Sequence, residues 1–214
     1  MNIKERLRIC KGKKKDVDVI ILYLNNSITK GSFGGLFATF TNLTTLHMVN
    51  CGLVSFEKFP KLPRLLYLDV SNNQFTDFCL HINILVKNAK SLERLIIEGN
   101  NFSNINTFSP LKKATNLIEI DLSFCHGLGE LKGYRKFLFE TIPTLKILNG
   151  CESHSNSDEE DEDGDFFGIE DEHCYSDTNE DSISDEKNED EEHVETKMDD
   201  EDDDIQIIAY IESS

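Results

Sequence analysis

Apolar residues recur in one short pattern along the first 150 residues of the chain. An apolar residue is followed three positions later by a second, and two positions after that by a third, as in Leu65, Leu68 and Val70. A truncated copy ends at Leu148. The copies begin at Val19, Leu43, Leu65, Leu92, Leu117 and Leu145, so their spacings are 24, 22, 27, 25 and 28 residues. All five spacings lie in the range of roughly 20–29 residues that is typical of leucine-rich repeats.

The last part of each copy alternates between apolar and other residues, which predicts a short strand with one buried face. Asn73 and Asn100 follow two of these strands, where an amide can bond backbone groups that water does not reach. Cys51 and Cys125 take the same place in other copies. We therefore predict an α/β leucine-rich repeat solenoid, with a curved parallel sheet on the concave side and irregular or helical segments on the convex side.

A repeat buries its apolar edge only against its neighbours, so both ends of the stack need caps. Residues 2–10 predict a short helix with Ile3, Leu7 and Cys10 on one face. The segment "YRKFLFETIPTLKILNG" (134–150) predicts the other cap. The residues expected to cover the last strand are Phe137, Phe139, Ile142 and Leu145. The predicted repeat domain spans residues 1–151.

The positions between the apolar residues of each strand are predicted to face the concave side, which solenoids use to bind proteins. Acidic residues concentrate there in the later copies. An alternative is a solvated sheet face with cross-strand pairs, such as Arg94 with Asp69 or Glu119. The predicted partner-binding residues of this face are Tyr67, Asp69, Arg94, Glu98, Glu119 and Asp121.

Charge divides the chain at residue 152. The formal net charge is −18, but residues 152–214 hold 28 of the 40 acidic residues and two of the 22 basic ones, a net of −26. Residues 1–151 therefore carry +8. Because residues 152–214 are poor in apolar side chains, we predict that they form a disordered acidic tail. Such a polyanion attracts basic proteins, for example core histones or ribosomal proteins, and repels nucleic acid.

The tail contains a few apolar residues among its acids. Phe166, Phe167 and Ile169 interrupt "DEEDEDGDFFGIEDE" and predict an anchor that enters a pocket on the partner. The alternative is sequence drift in an unconstrained segment. Several hydroxyl residues have an acid three positions on, a context that acid-directed kinases favour. The candidate phosphorylation sites are Ser155, Ser157, Thr178, Ser182 and Thr196.

The N-terminal segment is basic, and three interpretations of it stay open. It is a solvated cap face, it assists nuclear entry, or it holds the acidic tail until a partner displaces it. The basic residues are Lys4, Arg6, Arg8, Lys11, Lys13, Lys14 and Lys15.

No motif in the chain predicts catalysis, a cofactor or a metal site. The six histidines lack metal-binding spacing, and "GSFGG" (31–35) lacks the lysine of a phosphate-binding loop. Asp69 and Asp121 are predicted to be solvated, with ordinary pKa values. The six cysteines are far apart, and no signal peptide or membrane span is recognisable, so we expect reduced thiols in the cytosol or nucleus.

Three segments resemble the acidic leucine-rich nuclear phosphoprotein 32 family: "LPRLLYLDVSNNQFTD", "LERLIIEGNNFSNINTFSPLKKATNLIEIDLSFC" and "GYRKFLFETIPTLKILNG". The similarity covers nearly all of residues 1–151 and continues in the tail as composition. This chain differs in having Asn149 where the family usually has Asp, in a more basic body, and in lacking a Lys/Arg import cluster in the tail.

The resemblance implies a non-enzymatic nuclear protein, also present in the cytoplasm, that binds histones through its tail in histone chaperoning or chromatin regulation. The alternative that it implies is an adaptor or inhibitor of an enzyme such as a type-2A protein phosphatase, bound through the concave face. A third interpretation, an RNA-processing scaffold like a spliceosomal leucine-rich protein, is disfavoured by the acidic tail. We expect a monomer.

Overall fold

Each copy of the apolar pattern forms one strand of a single sheet. The protein is described from a computed structural model, which covers residues 1–77, 80–128 and 133–152. In this part of the chain the strands follow one another in sequence order, with β1 to β6 parallel and β7 antiparallel to β6. The strands β1 to β7 are Ile21–Tyr23, Thr45–His47, Tyr67–Asp69, Arg94–Ile96, Glu119–Asp121, Ile147–Leu148 and Cys151–Glu152.

The other side of the stack is made of short helices and irregular segments. Helix α1 spans Ile3–Lys11, α2 spans Ile82–Asn88 and α3 spans Tyr134–Thr141. Two 3-10 segments, Asp16–Asp18 and Ile105–Lys113, complete the described helical elements. The predicted fold, an α/β leucine-rich repeat solenoid, is confirmed.

The register of the sheet stacks the same apolar position of every repeat. Leu22 pairs with Leu46, and the series continues strand by strand to Leu148. All members are at most 1% exposed, so burial of this column stabilises every neighbouring pair of repeats. The members of the column are Leu22, Leu46, Leu68, Leu95, Ile120 and Leu148.

Phenylalanines fill the space between the sheet and the connecting segments. Phe56 is completely buried, and its ring centroid lies 5.7 Å from that of Phe33 and 4.7 Å from that of Phe75. Phe59 contacts the same group edge-on, with its centroid 5.8 Å from Phe56. These rings belong to different repeats, so they join the repeats on the side away from the sheet.

Asn73 and Asn100 bond the backbone as predicted. Asn73 Oδ1 accepts hydrogen bonds from the backbone N–H groups of Cys51 and Leu53, at 3.0 and 2.9 Å. Its Nδ2 donates to the carbonyls of Met48, Val70 and Ser71. Asn73 therefore ties its own repeat to the preceding one.

The cysteines that replace this asparagine are small buried residues, as expected. Cys51 and Cys125 are 2% and 6% exposed, and each Sγ–H donates to a carbonyl of the preceding repeat. The described cysteines Cys10, Cys51 and Cys125 are free thiols.

Both predicted caps are present. Asn2 accepts a hydrogen bond from Lys4 N–H at the start of α1, and Ile3 of this helix is buried while Leu7 and Cys10 pack against the core. At the other end Ile142 and Leu145 are buried as predicted, and Phe137 and Phe139 are half-buried. The sequence-based list missed Leu138, which is the fully buried residue of α3.

The tail lies outside the described residues apart from Glu152, which forms β7 with Cys151. The domain boundary at residue 151, the disorder of the tail, its anchor and its phosphorylation sites therefore stay predictions. The described residues belong to one compact unit of the chain.

Candidate protein-binding face

The polar face of the sheet presents side chains in columns, because parallel strands pair in register. The first column runs Ile21, Thr45, Tyr67, Arg94 and Glu119. The second column runs Tyr23, His47, Asp69, Ile96 and Asp121. These columns place five of the six predicted face residues on neighbouring strands, and Glu98 follows β4 two positions after Ile96.

The N-terminal half of this face is aromatic. The ring of His47 lies between those of Tyr23 and Tyr67, with centroid distances of 4.6 and 4.9 Å. We call these three residues the aromatic ladder. Tyr23 is 55% exposed and the neighbouring Ile21 is 49% exposed, so the ladder offers apolar surface to a partner.

Asp69 lies beside the ladder and is held by three hydrogen bonds. His47 Nδ1 is 3.2 Å from Asp69 Oδ2, and Ser71 donates its backbone N–H and its hydroxyl to Asp69 Oδ1 at 3.0 and 2.7 Å. Burial raises the pKa of Asp69, but the hydrogen bonds from His47 and Ser71 outweigh it and hold this pKa below its usual value. The expectation of an ordinary pKa at Asp69 was wrong, because the carboxylate is partly buried and bonded rather than solvated.

The C-terminal half of the face is acidic. Arg94 Nε lies 3.0 Å from Glu119 Oε2, which is one of the cross-strand pairs considered from the sequence. Burial raises the pKa of Glu98, and the nearby carboxylates of Asp121 and Asp69 raise it further. Within the described residues Glu98 forms no ion pair, so a cation placed beside it would relieve repulsion among these three acids.

The structure changes the roles expected of three residues on this face. Asp69 already has partners on both oxygens, so it positions His47 rather than offering a free charge. His47 and Tyr23 were on the predicted concave surface but not among the predicted binding residues. The signal for them was available, since Tyr23, His47 and Tyr67 lie on three successive repeats and the first two share one register position.

Two features of the described residues bear on their chemistry, namely the grouping of metal-binding side chains and the reactivity of thiols. They contain no cluster of three or more His, Cys, Asp or Glu side chains that is arranged to bind a metal ion. Burial raises the pKa of Cys125 to about 11, so this thiol stays protonated near neutral pH and is a poor nucleophile. In the same part of the chain, every helix is too short or too polar to cross a membrane.

Curated proteins with similar sequences identify the family. In Caenorhabditis elegans, acidic leucine-rich nuclear phosphoprotein 32-related proteins 1 and 2 are 43% and 39% identical to this chain over 139 residues. In Drosophila melanogaster, acidic leucine-rich nuclear phosphoprotein 32 family member A is 31% identical over 163 residues. The chain belongs to the acidic leucine-rich nuclear phosphoprotein 32 family. No protein-family model matches it.

The matches cover 65–76% of this chain and 59–60% of the relatives, so the chain spans about three fifths of each phosphoprotein 32 relative that it matches. The names of these relatives support a nuclear protein. The repeat fold of this family member is that of a protein-interaction module.

Solved structures share the fold of this phosphoprotein 32 family member. A chain of the Drosophila melanogaster SNF/U2A' complex has a TM-score of 0.52 at 24% identity, covering 62% of this chain and 74% of that one. An internalin from Listeria monocytogenes has a TM-score of 0.51 at 20% identity, covering 67% of this chain and 41% of that one. At these identities the likeness shows the repeat fold alone.

The hydrogen bonds at Asp69 predict a pH-dependent contribution to stability. Because the folded-state pKa of Asp69 is depressed, its stabilisation is complete above the unfolded pKa of about 3.9 and is lost as pH falls through the folded value. We expect Asp69→Asn to lower the free energy of unfolding by about 1–2 kcal/mol at pH 5 and by less at pH 3.

Urea denaturation at the two pH values measures this difference, with Asp18→Asn as the control for loss of one exposed carboxylate. A cost of Asp69→Asn that is the same or larger at pH 3 would show that the ionised carboxylate does not stabilise the fold.

Proposed function

We propose that this protein is a non-enzymatic nuclear protein that binds core histones through its acidic tail and shields their basic surface. The observation that carries the proposal is the segregation of charge: residues 152–214 have a net charge of −26, beside a repeat body of +8. Long polyanions attract basic proteins and speed their association. Histones are the abundant basic proteins of the nucleus, the compartment that the relatives' names support.

Charge alone gives unselective binding that weakens with salt. An apolar anchor adds selectivity and slows dissociation, because a buried aromatic side chain is a frequent hot spot. We assign this role to Phe166, Phe167 and Ile169, which lie within the acidic run. The tail would then hold histones for chromatin assembly or mask them from modifying enzymes.

Binding of purified core histone complexes at physiological salt tests this function. Compared with the full chain, we expect residues 1–152 to bind about 100-fold more weakly or not at all, since most of the acidic charge is lost. Phe166→Ala combined with Phe167→Ala is expected to weaken binding about tenfold, the effect of one hot spot. Residues 1–152 keep β7 and the complete described core.

Val194→Ala with Met198→Ala is the matched control, because it removes apolar side chains elsewhere in the tail. If both double variants lost the same amount of histone affinity, the aromatic pair would have no specific role and the tail would act only as a polyanion. If the full chain did not bind histones, the proposed function would be wrong.

A second candidate is an adaptor or inhibitor of an enzyme such as a type-2A protein phosphatase. The composition of the sheet face favours it, since a partly exposed aromatic ladder lies beside the acids Glu98, Glu119 and Asp121. Enzyme binding would survive removal of the tail and would be sensitive to Tyr67 or Glu98 substitution. Histone binding would show the reverse.

A further inference from the structure

Among the described residues, a small groove of the solenoid is lined by three lysines and no acid. Lys61 and Pro63 lie before β3, while Lys87, Asn88 and Lys90 lie at the end of α2 and before β4. Together they line an open groove of about 350 Å³. We call it the lysine groove. It belongs to two successive repeats and is separate from the polar face of the sheet.

The floor of the lysine groove is held by hydrogen bonds between repeats. Asn88 Nδ2 donates to Phe59 O at 2.7 Å, and Asn88 O accepts from Leu62 N–H at 3.0 Å. On the other side, Asn116 Nδ2 donates to Lys90 O at 2.9 Å. The buried neighbours Leu62 and Ala89 anchor the same two segments in the core. These contacts hold the segments that carry the lysines in place, so the reorganisation needed to meet a ligand falls mainly on the side chains.

Within the described residues, none of the three lysines forms an ion pair. All three are exposed, so their ammonium groups are free to turn toward an anion in the groove. Three like charges around one groove repel one another, and a bound anion removes that repulsion. Lysine meets phosphate as a point charge with up to three donors.

We propose that the lysine groove binds a phosphate monoester, namely the phosphorylated serine or threonine of a partner protein. A monoester brings close to two negative charges in one compact group, which suits three cations around a groove of this size. A nucleic acid is disfavoured, because the chain has a net charge of −18 and repels a long polyanion more strongly than it repels one phosphate. The proposal concerns the repeat body and does not depend on histone binding by the tail.

Titration of the full chain with acetyl-Ala-phosphoserine-Ala-amide, followed by the backbone amide signals of Lys61, Lys87, Asn88 and Lys90, tests the site. We expect saturable shifts at these amides at low ionic strength, weaker below about pH 6 as the phosphate loses its second charge. The triple variant Lys61→Gln, Lys87→Gln, Lys90→Gln is expected to bind about tenfold more weakly, because it removes the three cations that face the ligand.

The matched control is Lys13→Gln, Lys14→Gln, Lys15→Gln, which removes the same charge from exposed lysines outside the groove. We expect it to change the affinity by less than about twofold at this salt. Equal weakening in both triple variants would overturn the site in favour of a net-charge effect. Equal binding of acetyl-Ala-Glu-Ala-amide would overturn its selectivity for phosphate.

A six-nucleotide oligothymidine without terminal phosphates separates the two sources of phosphate. Tighter binding of this oligonucleotide than of the phosphopeptide at the same amides would overturn the assignment to a phosphorylated protein. Absence of shifts with the phosphopeptide would overturn the site altogether.

Discussion

Replacing Asn73 by alanine is expected to lower the free energy of unfolding by about 3–5 kcal/mol, one of the two largest effects that we anticipate. The side chain is 8% exposed and makes five hydrogen bonds to the backbone of two repeats. Alanine would leave the N–H groups of Cys51 and Leu53 without their acceptor where water does not reach them. Each unsatisfied buried donor costs about 1–3 kcal/mol, and the lost contacts of the amide add to this.

Urea denaturation followed by circular dichroism measures this loss. Asn42→Ala is the matched control, since Asn42 is half-buried and donates one solvent-exposed hydrogen bond, to Val17 O at 2.8 Å. We expect it to cost less than about 1 kcal/mol. If the two substitutions had similar effects, the inter-repeat role of Asn73 would be wrong. A decrease of the denaturant slope in the Asn73 variant would show instead that the repeats had begun to unfold separately.

Phe56→Ala is expected to cost a similar amount, about 3–5 kcal/mol, through loss of packing rather than of hydrogen bonds. Phe56 is completely buried and contacts Phe33, Phe59 and Phe75. Truncation leaves a cavity among rings of three repeats, and these rings are held by backbone that relaxes only partly. The loss therefore contains both the transfer free energy of the ring and the cavity cost.

Phe124→Ala is the control for this second prediction, because it removes the same ring from a position that is 69% exposed. We expect a change within about 0.5 kcal/mol there. Thermal unfolding should show the same order, with a clear fall in Tm for Phe56→Ala only. Similar Tm values for the two variants would mean that the phenylalanine cluster does not contribute to holding the repeats together.

These two predictions concern the repeat body, whereas histone binding is assigned to the tail. A variant such as Asn73→Ala should therefore lose stability while keeping histone binding at temperatures where it is folded. Conversely, we expect the Phe166→Ala, Phe167→Ala variant to unfold as the parent chain does, since both residues lie in the segment that the sequence predicts to be a disordered tail. This separation allows defects of folding and of binding to be told apart in one set of variants.

Much of the repeat body could be predicted from the sequence, because the apolar pattern that specifies each strand is short and recurs in every repeat. The strand centres are occupied by the predicted residues Leu68, Leu95 and Ile120. Their burial follows from the sequence because side chains alternate between the two faces of a strand. Asn73 could be assigned its role from its place after a strand alone. The caps followed from the need to cover the two ends of the stack, although the identity of the buried residue in α3, Leu138, did not.

What the sequence by itself determined is the set of repeats, the residues at each strand position and the division of charge at residue 152. Only the tertiary structure decided how side chains of different repeats meet. The contact of His47 with Tyr23, Tyr67 and Asp69 joins residues 20 or more positions apart, and the lysine groove joins Lys61 to Lys87 and Lys90. The period of the repeat specifies which position within its repeat a residue occupies, but not which side chains of other repeats it contacts. The side-chain geometry and partial burial that bond Asp69 and lower its pKa arise only when neighbouring strands are in register.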